Sequence, residues 1–198
     1  MSIWATCSRL LVAGLILAPP GGPAKLLAQL SLQEAIAHAF PPPALVERRT
    51  AFLTPDDMAA ISSAAGADAP VSQRVVTYYL AEQNGLALGV AYFDSHRVRT
   101  LNEVVMIVVD PADSAGRPDR IRSVEVLRFA EPPEYHARDA WLDQFKGKSL
   151  SAGLSLKRSI ANMTGATLTS NAIVRAARRV LATHQRIQPF ASSAGRAP

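Results

Sequence analysis

The chain has 198 residues, a length that fits one domain with a buried core and is short for two. Apolar residues make up 48% and charged residues 19%, which is typical of a folded protein and excludes general disorder. The formal charge of +5 is mild, and the basic clusters at 117–122 and 175–186 lack interleaved aromatic residues, so nucleic-acid binding is not expected.

Cysteine and histidine usage limits the redox chemistry that the chain itself can carry. The single cysteine, Cys7, excludes an internal disulfide, a Cys-ligated zinc, an iron–sulfur cluster and c-type haem attachment. The histidines are scattered without a pair at metal-binding spacing, so no metal ligand is predicted and they are expected at surface or packing positions. Redox chemistry would therefore need a bound organic cofactor.

The N-terminal segment has the pattern of an export signal. Arg9 precedes an apolar run at 10–18, and small residues and prolines follow at 19–24. Residues 1–24 are predicted to be a signal peptide, which implies a location outside the cytoplasm. An N-terminal anchor is the alternative, although the run is shorter than the ~20 residues of a spanning helix. The expected domain is 25–190, followed by a flexible tail at 191–198.

Local signals in the first half predict two helices and a hairpin. A helix is expected over 30–40, and a second helix opens at a capping Thr54 followed by Pro55 and runs toward Gly66. Strands are predicted over 72–82 and 86–93, joined by the turn signal Asn84-Gly85. The following Asp94-Ser95-His96 is interpreted as a turn, since no nucleophile elbow supports a hydrolase site there.

The second half predicts two more strands and two helices. The apolar run 104–109 within 98–110 indicates a strand buried on both faces, and 121–129 alternates as the next strand. Helical turns are expected over 138–145, and the last helix is predicted from about 171 to 183. The predicted fold is a single α+β domain with a mainly antiparallel sheet of four to six strands, flanking helices and a C-terminal helix.

A loop of small and hydroxyl residues directly precedes this last helix. Its sequence is Thr164-Gly165-Ala166-Thr167-Leu168-Thr169-Ser170. Either Thr169 or Ser170 is a suitable N-cap. Unpaired backbone N–H groups and the positive end of the helix dipole favour a phosphate at such a position. A tight turn with a cap and no ligand explains the same residues, so local chemistry leaves both readings open.

This segment resembles the flavinylation site of the FMN-binding domain family, typified by the C subunit of sodium-translocating NADH:quinone reductase and the G subunit of the Rnf complex. The family pattern is Asp, two variable residues, Ser or Thr, and then Gly-Ala-Thr. Thr164-Gly165-Ala166-Thr167 matches its core, and the following three residues are also typical. The resemblance implies FMN esterified through its phosphate to Thr167 by a dedicated flavin transferase that consumes FAD.

A second stretch supports the resemblance, and one position departs from it. Residues 129–134 and 144–148 occupy the places of the family's strand-to-loop and Phe-x-Gly elements, which gives Glu131 an expected position on the flavin side. The matching regions span roughly 98–181. The family aspartate falls at Ala161 in this chain, with Asn162 beside it.

The resemblance implies an exported electron carrier rather than a stand-alone enzyme, with a membrane or periplasmic protein as redox partner. No catalytic residue is assigned. The alternatives are an extracytoplasmic binding or structural domain that attaches no flavin, suggested by Ala161, and a flavin reductase that uses FMN non-covalently. The residues expected at the cofactor are Thr164, Gly165, Ala166, Thr167, Leu168, Thr169, Ser170 and Glu131.

Overall fold

A computed structural model describes residues 30–191. The predicted signal peptide and nearly all of the predicted tail lie outside the described residues. The helices are α1 (Leu32–Ala39), α2 (Pro55–Ala65), α3 (Asp139–Leu142) and α4 (Thr167–Ile187), and 3₁₀ turns span Pro133–Tyr135 and Asp143–Phe145. The strands are β1 (Leu45–Phe52), β2 (Val75–Gln83), β3 (Leu86–Arg97), β4 (Asn102–Asp110) and β5 (Arg120–Phe129).

The five strands form one antiparallel sheet in the order β1-β2-β3-β4-β5, which confirms the predicted α+β class. Asn84 and Gly85 both have positive φ angles, 53° and 75°, as the tight turn between β2 and β3 requires. Strand β4 lies between β3 and β5 and is buried on both faces, as its continuous apolar run predicts. Within residues 30–191, no helix has the length and apolar character needed to cross a bilayer.

Helices cover both faces of the sheet. On one face, the β3 and β4 side chains Tyr92, Val105 and Ile107 pack in the main core with Ile173 and Ala177 of α4. The opposite face carries a smaller core, whose members on α1 and the following turn are Ala35, Ile36 and Phe40. Helix α2 packs beside α4 through a third cluster. The sheet therefore holds α4, and with it the segment 164–170, on its larger core face.

The second helix begins at the predicted residue, and the first begins at Leu32, two residues after its predicted start. Ser31 and Glu34 form a reciprocal capping box at α1, with Glu34 N donating to Ser31 Oγ at 3.2 Å. Thr54 and Asp57 form the same arrangement at α2, with Pro55 at the first helical position. These local hydrogen bonds explain why the two helix starts could be predicted from neighbouring residues alone.

Three sequence-based expectations differ from the structure. Strand β1 was not predicted, because its charged and exposed residues give little apolar alternation. The turn expected at Asp94-Ser95-His96 is wrong: pairing with β4 continues to Arg97, so these residues lie in β3. The predicted start of the last helix is also wrong, because α4 begins at Thr167 and places Thr169 and Ser170 inside its first turn.

Candidate cofactor site

The loop before α4 is held at Ala161 by two side chains, one from α3 and one from the 3₁₀ turn that follows it. Trp141 Nε1 donates to the carbonyl oxygen of Ala161 at 2.6 Å. The Ala161 amide donates to Gln144 Oε1 at 2.7 Å. Both backbone groups of Ala161 are therefore paired, which fixes the loop at the position where the family carries aspartate. The sequence predicted helical turns over 138–145 but did not indicate this clamp.

Thr167 is the exposed first residue of α4, and the turn before it is open. Gly165 has a φ of +81°, and no heavy atom lies within 4 Å of where a side-chain Cβ would stand, so the loop surface is unobstructed there. The N-cap residue is Ala166, which offers no side-chain hydrogen bond, and the first turn holds no acidic residue. The opening N–H groups of α4 therefore lack a side-chain cap and suit a phosphate beside Thr167.

The Asn162 side chain forms a hydrogen bond with Thr167 in this loop. Its Nδ2 donates to Thr167 Oγ1 at 3.0 Å, and both residues are exposed. The contact depends on the loop turning back at Gly165 so that residues five apart in the sequence meet. The hydroxyl that the resemblance assigns to phosphate attachment is thus already oriented by a neighbouring amide.

Not every residue of the predicted segment faces the open side of the loop. Thr164, Gly165, Thr167 and Leu168 are exposed. Thr169 and Ser170 are buried, and the Ser170 hydroxyl donates to the carbonyl of Ala166 at 3.1 Å. It also accepts from the Met163 amide at 3.3 Å. Ser170 therefore closes the loop from inside rather than presenting its hydroxyl to a ligand.

Glu131 lies after β5 and binds the loop between β3 and β4. Its Oε1 accepts from the amides of Arg99, Thr100 and Leu101 at 3.1, 2.7 and 2.8 Å. The bonds from Leu101 and Thr100 lower the pKa of Glu131. Within residues 30–191, no hydrogen bond joins Glu131 to the segment 161–170. The structure thus shows a loop-closing contact for Glu131, and its expected flavin-side position stays a prediction.

A charged network that the sequence did not predict lies under the middle of α4. His96 places Nδ1 2.8 Å from Asp94 Oδ1 and Nε2 2.8 Å from Glu103 Oε2. Arg179 of α4 donates to both oxygens of Asp94. Glu103 is fully buried. The spacing of Asp94 and His96 by two residues on one strand was the available signal, because it places both side chains on the same face.

The network balances opposing effects on ionisation. Burial disfavours the charged form of Asp94, but hydrogen bonds from His96 and Arg179 outweigh it and lower the pKa to about 2. Burial also disfavours protonated His96, and its bonds to Asp94 and Glu103 outweigh that effect and raise its pKa. A cavity of about 290 Å³ lies beside Asp94, His96 and Arg179. In the described range, no cluster of three His, Cys, Asp or Glu residues suits a metal ion.

Fold and loop together define an α+β domain in which an exposed threonine opens a long helix behind a Gly-containing turn. Residues 105–182 match the family model of the FMN-binding domain. The match includes β5, α3 and the segment 164–170, and it confirms the resemblance found from the motif. Comparisons with curated proteins and with solved structures found no match.

Proposed function

We propose that this chain carries one FMN esterified through its phosphate to Thr167 and that it transfers electrons outside the cytoplasm. The observation that carries the proposal is the position of Thr167. It is the exposed first residue of α4, it lies inside the matched FMN-binding domain, and no side chain caps the helix start beside it.

The chain's own groups suit a phosphate ester at this hydroxyl. The opening amides of α4 provide donors and the positive dipole end, and no carboxylate in the first turn opposes the phosphate charge. The clamp on Ala161 by Trp141 and Gln144 keeps the loop in place. An ester at Thr167 leaves the flavin ring unmodified, so the bound group would supply one- and two-electron transfer.

The location and partners are part of the same proposal. The N-terminal pattern at 1–24 supports export, and a covalent attachment suits a compartment where free FMN is scarce, because the tether replaces a dissociation equilibrium. Maturation then requires a flavin transferase, and electron transfer requires a redox partner in the membrane or periplasm. In this role the chain is an electron carrier rather than a stand-alone enzyme.

Flavin attachment can be tested by expressing the chain with and without a flavin transferase. We expect a fluorescent band on a denaturing gel and a mass increase equal to FMN minus one water, both dependent on the transferase. Thr167→Ala should abolish the band and the mass increase. Thr50→Ala is the matched control, because it removes an exposed threonine hydroxyl on the edge strand β1 and should leave labelling unchanged. Cell fractionation of the full chain tests export separately.

One observation favours a second candidate, a domain that keeps the fold without attaching flavin. Ala161 stands where the family carries aspartate. A wild-type band without flavin fluorescence, obtained while a known substrate of the same transferase is labelled, would support this candidate and contradict the leading proposal. Flavin that is released by denaturation would instead indicate non-covalent binding, as in a flavin reductase.

A further inference from the structure

We propose that Asn162 is the positioning residue that holds the Thr167 hydroxyl for flavin attachment, at the position next to the missing family aspartate. This inference rests on the proposed function. The family pattern has an aspartate at the position of Ala161. The positioning group proposed here is instead the neutral amide of Asn162, one residue later.

The geometry supports a positioning role. Asn162 Nδ2 lies 3.0 Å from Thr167 Oγ1, and Asn162 directly follows Ala161, whose N–H and C=O are both held by side chains of the α3 region. The amide is therefore presented from a fixed part of the loop. A threonine in a helix divides between two χ1 rotamers, and an amide that donates to the hydroxyl oxygen favours one of them.

The neutral Asn162 amide also suits the phosphate ester that the reaction produces. In the attachment step, Thr167 Oγ forms a bond to the FMN-side phosphorus of FAD, the pyrophosphate P–O bond breaks, AMP leaves, and the hydroxyl proton passes to a base of the transferase or to water. After the step, Oγ and the phosphate oxygens can only accept hydrogen bonds. The Asn162 amide can still donate to them, whereas a carboxylate there would place a second negative charge beside the phosphate.

The test measures initial flavinylation rates of purified, unmodified protein with transferase and varied FAD. We expect Asn162→Ala to lower kcat about tenfold without changing KM for FAD, which is the effect of one lost hydrogen bond on the reacting hydroxyl. Asn162→Asp should be slower still, and Asn162→Gln should recover part of the rate. Asn171→Ala is the control, because it removes an amide side chain from the same helix. Within the described residues, the Asn171 side chain forms no hydrogen bond with Thr167, whose Oγ1 accepts from Asn162.

A second measurement needs no flavin. Three-bond NMR couplings at Thr167 should report one χ1 rotamer in the unmodified wild type and rotamer averaging in Asn162→Ala. If the wild type is labelled and Asn162→Ala and Asn162→Asp react within twofold of it, the inference fails while the proposed function stands. A change in KM alone, or an equal loss in Asn171→Ala, also overturns it. A wild type that takes no flavin overturns both proposals.

Discussion

Arg179 on α4 and Asp94 on β3 share two hydrogen bonds, from Nε to Oδ2 at 3.0 Å and from Nη2 to Oδ1 at 2.8 Å. The pair joins the helix that carries Thr167 to a strand that precedes the matched domain. Their side chains are mostly buried, with 17% and 13% of their surface exposed. The helix that carries Thr167 is therefore held in part by a strand that lies outside residues 105–182.

Removing one partner of this pair should destabilise the fold. Arg179→Met leaves the mostly buried Asp94 carboxylate with His96 as its remaining partner, and we expect the free energy of unfolding to fall by about 2 kcal/mol in urea denaturation. Arg186→Met is the comparison, because Arg186 forms its ion pair with Asp57 at 51% exposure and should matter much less. Equal effects of the two substitutions would contradict the importance of the buried pair.

The loss of unfolding free energy at low pH should depend on Asp94. Its pKa of about 2 lies below the ordinary value of 3.8, so its contribution is present above about pH 4 and is lost as the pH falls toward 2. The shift corresponds to about 2 kcal/mol of unfolding free energy. Asp94→Asn should reduce the loss of stability over this range, measured by urea denaturation at successive pH values. An unchanged acid slope in the variant would show that other carboxyl groups control it.

The loss of unfolding free energy as the pH rises above 6.5 should depend on His96. Its pKa is raised by its bonds to Asp94 and Glu103, which outweigh burial, so its contribution is complete below about pH 6.5 and is lost as the pH rises through the folded-state value. We expect wild-type stability to decline above pH 6.5. His96→Gln cannot titrate and should show a flatter profile in that range, although it starts from a lower stability. The same decline in His96→Gln would exclude His96 as its cause.

Glu131 should control the order of the loop between β3 and β4. One carboxylate oxygen accepts three consecutive amides in that loop, so Glu131→Ala leaves them without their acceptor. We expect hydrogen exchange at Arg99, Thr100 and Leu101 to accelerate about tenfold, with Glu131→Gln intermediate because its amide oxygen can still accept. Unchanged exchange in Glu131→Ala would mean that the loop is held by other contacts.

Restoring the family aspartate should speed flavin attachment. The side chain at 161 is exposed and the backbone of Ala161 is fixed by Trp141 and Gln144, so Ala161→Asp should change stability by no more than about 0.5 kcal/mol. We expect a higher initial rate of transferase-dependent labelling than in the wild type. A variant that folds equally well and is labelled no faster would show that this chain does not need the carboxylate.

Short-range signals explain the elements that could be predicted. The caps at Ser31 and Thr54 and the turn at Asn84-Gly85 act within four residues, so neighbouring sequence is sufficient to define them. Two failures have a different origin. Thr169 and Ser170 have the composition of helix caps, but tertiary packing buries both inside α4 and the helix begins earlier. Strand β1 forms by pairing with β2, which its own exposed residues do not indicate.

The sequence by itself predicted a segment for FMN attachment and singled out Thr167, because the motif is one continuous stretch of chain that keeps its order in any fold. Only the tertiary structure showed that Trp141 and Gln144 hold Ala161, that Glu131 closes the loop before β4, and that His96 lies between two carboxylates. Each of these contacts joins residues brought together by the sheet and its helices. Arg179 and Asp94, 85 residues apart, meet because α4 packs across β3, and no local pattern specifies that packing.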